Sequence, residues 1–210
     1  VTLGGLAAHN VQNCAAAALA ASGLGITPAT IAAVLARFGR DNRDNPGRLQ
    51  RWVLGGGVQV YVDYAHNPDG LAQFLDLVRQ AHRDGGRLHL LLGQAGDRSD
   101  AAIADLAATA ASFHPDHVVL KDMEGYMRGR ESGEVGRVLR AALVRHGVAD
   151  GAIEECRDET EAVRAILTAA RHGDSLALPV HGVAARERVN ALLDRLQAQA
   201  WSAGDPVAGD

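Results

Sequence analysis

Where the apolar run Val58 to Tyr64 stops, the chain sets a carboxylate and an imidazole close together in Asp63-Tyr64-Ala65-His66-Asn67-Pro68-Asp69-Gly70-Leu71. A carboxylate at a strand end can accept hydrogen bonds from a ribose, and an imidazole can lie against a base or a phosphate. Asn67 followed by Pro68 also reads as a helix start, with the amide capping and the proline at the first position. That accounts for Asn67 and leaves Asp63 and His66 as the candidates for chemistry. Three more polar clusters follow apolar runs: Gly93-Gln94-Ala95-Gly96-Asp97-Arg98, Lys121-Asp122 and His181-Gly182. The first offers free backbone amides to an anion, or else uses Asp97 as a helix cap. It lacks GxGxxG spacing, which argues against a nicotinamide-dependent oxidoreductase.

The segment Lys121 to Glu134 is a long polar loop in a place where loops often carry specificity. Its charges suit a zwitterionic amino acid, with Arg128 or Arg130 for the carboxylate and Asp122 or Glu124 for a cationic group. The alternative is a solvated loop in which Glu131 and Glu134 open a helix. His181 either joins the same wall or caps the helix that follows. His82, His114, His146 and His172 read as surface or helix-end residues, and no His/Cys/carboxylate spacing supports a metal site. Cys14 and Cys156 lie far apart and are expected to be buried thiols in a reducing compartment.

The elements that must hold these clusters follow from periodicity. Leu49 to Leu54 and Val58 to Tyr64, split by Gly55-Gly56-Gly57, read as a hairpin. Apolar strands then alternate with amphipathic helices: Leu88 to Leu92, Val118 to Leu120, the weaker Ala152 to Cys156, and Ser175 to Val180. The helices between and after them carry Leu71, Phe74, Leu75 and Val78; Ile103, Leu106, Ala110 and Phe113; Val135, Val138, Leu139 and Ala142; Val163, Ile166, Leu167 and Ala170; and Val189, Leu192, Leu193 and Leu196. This pattern predicts an α/β, Rossmann-like, mostly parallel sheet with an N-terminal antiparallel hairpin. In such sheets ligands bind beyond the carboxyl ends of the strands, and the four polar clusters fall there. Before the hairpin, an alanine-dense helix runs from His9 to Ser22. A second, capped by Thr27 with Pro28 behind it, presents Ile31, Val34, Leu35 and Phe38 on one face.

Of 210 residues 47% are hydrophobic, 22% are charged, and the net charge is −4. These values exclude a disordered chain or a disulfide scaffold, and the absence of a basic block argues against nucleic acid. No apolar run is long enough to span a bilayer, and no secretory signal is visible. A cytoplasmic protein with no membrane partner is expected. Its 21 basic residues include one lysine, Lys121.

Asp63 to Leu71 resembles the start of the C-terminal domain of Mur ligases, the ATP-dependent amide-forming enzymes that include folylpolyglutamate synthases and cyanophycin synthetases. His9-Asn10-Val11-Gln12-Asn13 resembles that family's central-domain helix motif, and Gly47-Arg48-Leu49 its interdomain arginine motif. The order of the three is the family's order. The resemblance implies that residues 1–38 are the helical end of the central ATPase domain, 39–47 a linker, 48–200 the C-terminal domain and 201–210 a flexible tail. It also implies that Asn10 and Asn13 lie on the adenine and phosphate side of ATP. Arg48 would reach the phosphates as the catalytic cation, Asp63 would hold the ribose, and His66 would sit close to the nucleotide. Asp97, Arg98, Asp122, Glu124, Arg128, Arg130 and His181 would form the wall for the second substrate. The Arg-Gly-Arg and Gly-Glu-Val elements look most like cyanophycin synthetases, whose Mur-like part adds arginine to an aspartate side chain.

The implied function is the C-terminal portion of an acid–amino acid ligase acting through an acyl phosphate. Its partners would be an amino acid, as a small molecule, and a carboxylate acceptor. The family's Gly-rich phosphate loop with its lysine, and the Mg²⁺ ligands, have no counterpart in this sequence and are expected upstream. The chain alone is expected to be inactive. The competing expectation is a non-catalytic nucleotide- or ligand-binding module with the same fold.

Overall fold

The computed structural model describes residues 7–82, 85–123 and 125–207. Glu124 of the candidate substrate wall lies outside the described residues, as do positions 1–6 of the expected helical segment and 208–210 of the expected tail. Two helices come first, α1 (Ala8–Gly23) and α2 (Pro28–Arg37), the second capped by Thr27, whose hydroxyl accepts from Thr30 N at 3.2 Å. The chain then alternates: β1 (Gln50–Val53), β2 (Gln59–Asp63), α3 (Pro68–Ala81), β3 (Leu88–Leu92), α4 (Asp100–Ala111), β4 (His117–Lys121), α5 (Glu134–Arg145), β5 (Ile153–Cys156), α6 (Glu159–Ala169), β6 (Ser175–Pro179) and α7 (Val183–Ala198).

The six strands form one sheet in the order β1-β2-β6-β3-β4-β5. Only β1 is antiparallel, paired to β2 with Gln50 opposite Val62; every other pairing is parallel. This is the expected α/β architecture. Pleating divides the core between two faces. Leu90, Leu92, Val118 and Leu120 face α3, α4 and α5, while Leu91, Val119, Leu176 and Leu178 face α6 and α7. Continuous apolar strands therefore need helices on both sides, and the chain supplies them.

The topology also places the site. After β2 and β3 the chain crosses to one face, through α3 and α4. After β6, which lies between those two strands, α7 packs on the other face. Connections leaving neighbouring strand ends in opposite directions open a crevice above them. Asp63, Gly93 and His181 end or follow the three strands in question.

One expectation changes. Residues 201–207 are not a loose tail: Trp201 is 4% exposed in the core under α7, and Gly55 N donates to its carbonyl at 2.8 Å. The bulky indole finds apolar cover that local sequence could not reveal. Residues 39–47 are likewise folded against β1. The Asn42 side chain pairs with the Arg51 backbone in both directions at 3.0 Å, as a neighbouring strand residue would.

Candidate functional site

The crevice begins with Asp63. One carboxylate oxygen accepts from Leu49 N and the other from Ala65 N, each at 2.8 Å. The side chain thus ties the entry to β1 to the turn after β2. Burial pushes its pKa up, against the pull of those amides and of the Arg48 charge. The tie holds an unusual backbone in place: Gly47 has φ +75° and Leu49 φ +51°, the latter a conformation that costs a branched residue strain. Between them Arg48 is exposed, its guanidinium carbon 5.4 Å from the centroid of the Tyr64 ring.

Tyr64 has further cationic and aromatic neighbours. Arg186, from the first turns of α7, lies 5.9 Å from the ring centroid. The His66 ring is 5.0 Å away and tilted, and the His181 ring is 5.4 Å away, edge on. A permanently charged, planar guanidinium suits stacking on an aromatic ring and bidentate contact with a phosphate or carboxylate. The Arg186 stem also packs on the Gly47 turn, where a Cβ would fall 2.6 Å from its Cδ. The positive φ is what favours glycine there, since the Arg186 side chain could shift aside.

Beside this group a cleft of about 650 Å³ opens between α1, α2 and the β2–α3 turn. Asn10, Asn13, Arg48, Asp63 and His66 all line it, so the five residues expected to meet a nucleotide share one cavity. Val34, Leu35 and Phe38 supply an apolar wall, and Cys14 lies in the same lining. Cys14 and Cys156 are half-buried, not buried as expected. The cleft's size is that of an ordinary small-molecule site. Its mixture of amide, guanidinium and apolar groups fits a nucleotide. A magnesium ion fits less well. Among the described residues no three His, Cys, Asp or Glu side chains converge, and both oxygens of Asp63 already serve backbone amides.

The substrate-wall candidates are distributed differently. Asp97 and Arg98 are exposed on the β3–α4 turn, where Ser99 rather than Asp97 caps α4, accepting from Ala102 N at 3.3 Å. Arg128 sits at φ +48° with its guanidinium carbon 5.7 Å from the Tyr126 ring centroid. Arg130 is committed to the protein: it donates to Gly96 O at 3.0 Å, Arg98 O at 2.8 Å, Asp100 at 2.7 Å and Glu134 at 3.0 Å. Asp122 accepts from Ser132 Oγ at 2.5 Å and from Gly133 N at 3.0 Å. These two side chains fold residues 125–133 and brace them on the β3–α4 turn. Gly96 fits under that loop only because it has no Cβ, which would clash with the Met127 carbonyl. His181, expected as a substrate contact or a cap, is not the cap, and its ring is turned inward. It is 3% exposed, both ring nitrogens have partners within the protein, and Gly182 is the N-cap of α7.

Several residues of the site escape sequence reasoning. Arg186 is one of many arginines, and only the fold brings it to Tyr64. Glu159 opens α6 far along the chain from the residues it meets, and no spacing marks it. The lone Lys121 is completely buried rather than exposed on a loop.

Comparison with known proteins accounts for this architecture. The family model "Mur ligase, glutamate ligase domain" matches residues 47–178. The chain is 31% identical over 167 residues to a cyanophycin synthetase of Synechocystis sp., covering 80% of the chain and 18% of that protein. It is 31% identical over 189 residues to a UDP-N-acetylmuramoyl-L-alanyl-D-glutamate–2,6-diaminopimelate ligase of Corynebacterium efficiens, covering 87% of the chain and 33% of that protein. It therefore spans a third or less of the length of these relatives. Among solved structures, the UDP-N-acetylmuramate-alanine ligase of Thermotoga maritima superposes with a TM-score of 0.62 at 17% identity, covering 91% of the chain and 38% of that protein. A murein peptide ligase of Psychrobacter arcticus gives 0.61 at 23% identity, covering 96% of the chain and 38% of that protein. The antiparallel edge strand β1 and the Asp63 to Pro68 turn at the sheet's switch point lie within the matched residues: the chain belongs to the Mur ligase family.

Proposed function

We propose that this chain is the part of an ATP-dependent carboxylate–amine ligase that closes over the nucleotide and presents the amine substrate. The observation that carries the reading is the shared cleft: Asn10 and Asn13 from α1, Arg48 from the β1 entry, and Asp63 and His66 from the β2–α3 turn. The relatives named above as ligases and synthetases support the class, and an E. coli FolC of the same fold was solved with ADP. In this reaction ATP phosphorylates a carboxylate, the amine attacks the acyl phosphate, and the tetrahedral intermediate collapses to an amide with release of phosphate. Arg48 faces the transferring phosphoryl group with a fixed positive charge. His66 and the Asp63-bound turn shape the nucleotide side. Arg98, Arg128 and Asp97 remain exposed on the rim to meet a zwitterionic amino acid, and Asp122 and Arg130 hold the loop that carries Arg128.

Lys121, the chain's one lysine, is buried away from the cleft. The chain alone is therefore expected to bind a nucleotide without ligating. Isothermal titration of the 210-residue chain with ADP tests the reading. Saturable binding is expected, weakened about tenfold in Arg48→Ala, the value of one charge-assisted hydrogen bond of ~1.4 kcal/mol. A folded chain that takes up no ADP overturns it.

A further inference from the structure

Beneath the cleft, outside its lining, lies a closed polar cluster that none of the roles above uses. Lys121 at the end of β4 points its ammonium into the protein, with its side chain fully buried. Three acceptors meet it: the Glu159 carboxylate, Pro179 O at 2.6 Å and His181 Nδ1 at 3.1 Å. An ammonium has three donors and no acceptor, so the count closes with Lys121 charged and His181 Nδ1 bare. The histidine proton then resides on Nε2, which lies 3.0 Å from Ala65 O and donates to it. Glu159 completes the cluster by accepting from His181 N and Gly182 N, each at 2.7 Å. Ala65 is the centre of the turn that carries Tyr64 and His66.

Two glycines of the strand-end motifs find their reason here. A Cβ on Gly93 would fall 2.7 Å from Lys121 Cγ, and one on Gly182 would fall 2.7 Å from a Glu159 oxygen. At Gly93 the Lys121 carbonyl, 2.8 Å away, also closes the place to a Cβ, and at Gly182 a Cβ would displace the Glu159 carboxylate, so the backbone of both motifs is shaped around the buried pair.

We propose that Lys121 and Glu159 are positioning residues for the nucleotide cleft, acting by holding His181 as its Nε2–H tautomer and so fixing the Ala65 carbonyl and the Tyr64–His66 turn. The ligand in this statement rests on the function proposed above; the tautomer and the turn do not. Burial, and then the Lys121 charge, hold the His181 pKa down to about 3, in keeping with a ring that stays neutral. The charged and titratable groups facing that ring are Lys121 from β4, Glu159 from α6, and Tyr64 and His66 from the β2–α3 turn.

The test uses the full chain with ¹⁵N-labelled histidine. In the wild type, one histidine is expected to keep a bare Nδ1 and a protonated Nε2 from pH 5 to 8, and His181→Gln assigns it. In Lys121→Met that resonance should titrate or mix tautomers, the His66 ring signals should shift, and ADP affinity should fall fivefold or more. Lys121→Met strands a buried carboxylate, so Lys121→Met/Glu159→Gln, which removes both charges, is made alongside it. The double variant should show the same losses with a cooperative melt. An Nδ1–H tautomer in the wild type overturns the proposal whatever the variants do. So does a double variant whose His66 signals and ADP affinity match the wild type. If the wild type binds no ADP, the nucleotide reading fails by itself, and the His66 signals still decide the positioning role.

Discussion

The two walls of the cleft are built to different standards. On one side α3 buries Leu71, Phe74, Leu75, Leu77 and Val78 against the sheet, and the turn before it is fixed by Asp63 and His181. On the other, no side chain of α1 or α2 is buried among the described residues, and Leu19 and Leu24 are 75% and 84% exposed. Helices without a buried face draw little stability from packing, and segments of that kind open locally at low cost. The cleft therefore joins a rigid half to a compliant half, an arrangement suited to a site completed by closure.

A paired truncation tests this most strongly. Leu90→Ala in the central strand β3, fully buried, should cost about 3 kcal/mol and lower Tm by roughly 6–12 °C. Leu19→Ala in α1 should stay within about 0.5 kcal/mol. Equal losses in thermal melts would mean that the two walls are a single cooperative unit and would sink the distinction.

Acid should attack the rigid half. A buried histidine kept neutral in the fold binds its proton only on unfolding, so its stabilising contribution is present above about pH 6.5 and is lost as pH falls toward the folded value. For His181, with that value about 3, the loss between pH 7 and pH 5 is about 2 kcal/mol. His89, 0% exposed, is shifted the same way, by burial first, against the pull of Asp174 on its Nε2 at 2.7 Å, with Arg87 and His117 opposing a charge on it. Hydrogen exchange at pH 7 and pH 5 should show protection falling in the strands and staying nearly level in α1. Strand protection that is flat across that interval contradicts the assignment of neutral buried rings.

Arg48→Ala probes the boundary between the halves. Its guanidinium is exposed over Tyr64 and makes no part of the core, so Tm should hold within about 2 °C while ADP affinity falls about tenfold. A large Tm drop with unchanged affinity would recast Arg48 as a structural clamp.

The sequence displays the rigid half well because periodicity reports burial. The alternation of Leu90, Leu91 and Leu92 between two cores, and the helical spacing of Leu71, Phe74, Leu75 and Val78, are local patterns with a direct structural meaning. The clustering of Asp63, His66 and Arg48 is legible through strand ends and motif order. What stays hidden depends on long-range pairing. Asp122 and Arg130 carry the right charges for a ligand, yet Asp122 spends its charge within the loop and Arg130 on Asp100 and the β3–α4 turn. Lys121 reads as a loop cation until Glu159 and His181 arrive from α6 and the β6–α7 turn. Trp201 reads as a tail residue because its pocket is made by β1, β2 and α7.

The smallest effect sharpens the contrast most finely, because the same change can be made on both walls. Thr27 caps α2 through Thr30 N, and Asn67 caps α3 through Gly70 N at 2.8 Å. Each cap is worth about 1 kcal/mol to its own helix. In α3 the helix is welded to the core, so loss of the Asn67 cap must appear as global destabilisation, about 2–4 °C in Tm. In α2 nothing buried transmits the loss, so Thr27→Ala should leave the global Tm unchanged and speed amide exchange only in Pro28–Arg37, by about fivefold. A Tm shift from Thr27→Ala as large as that from Asn67→Ala would show that α2 shares the cooperativity of the sheet, and the compliant wall would then have to be sought in α1 alone.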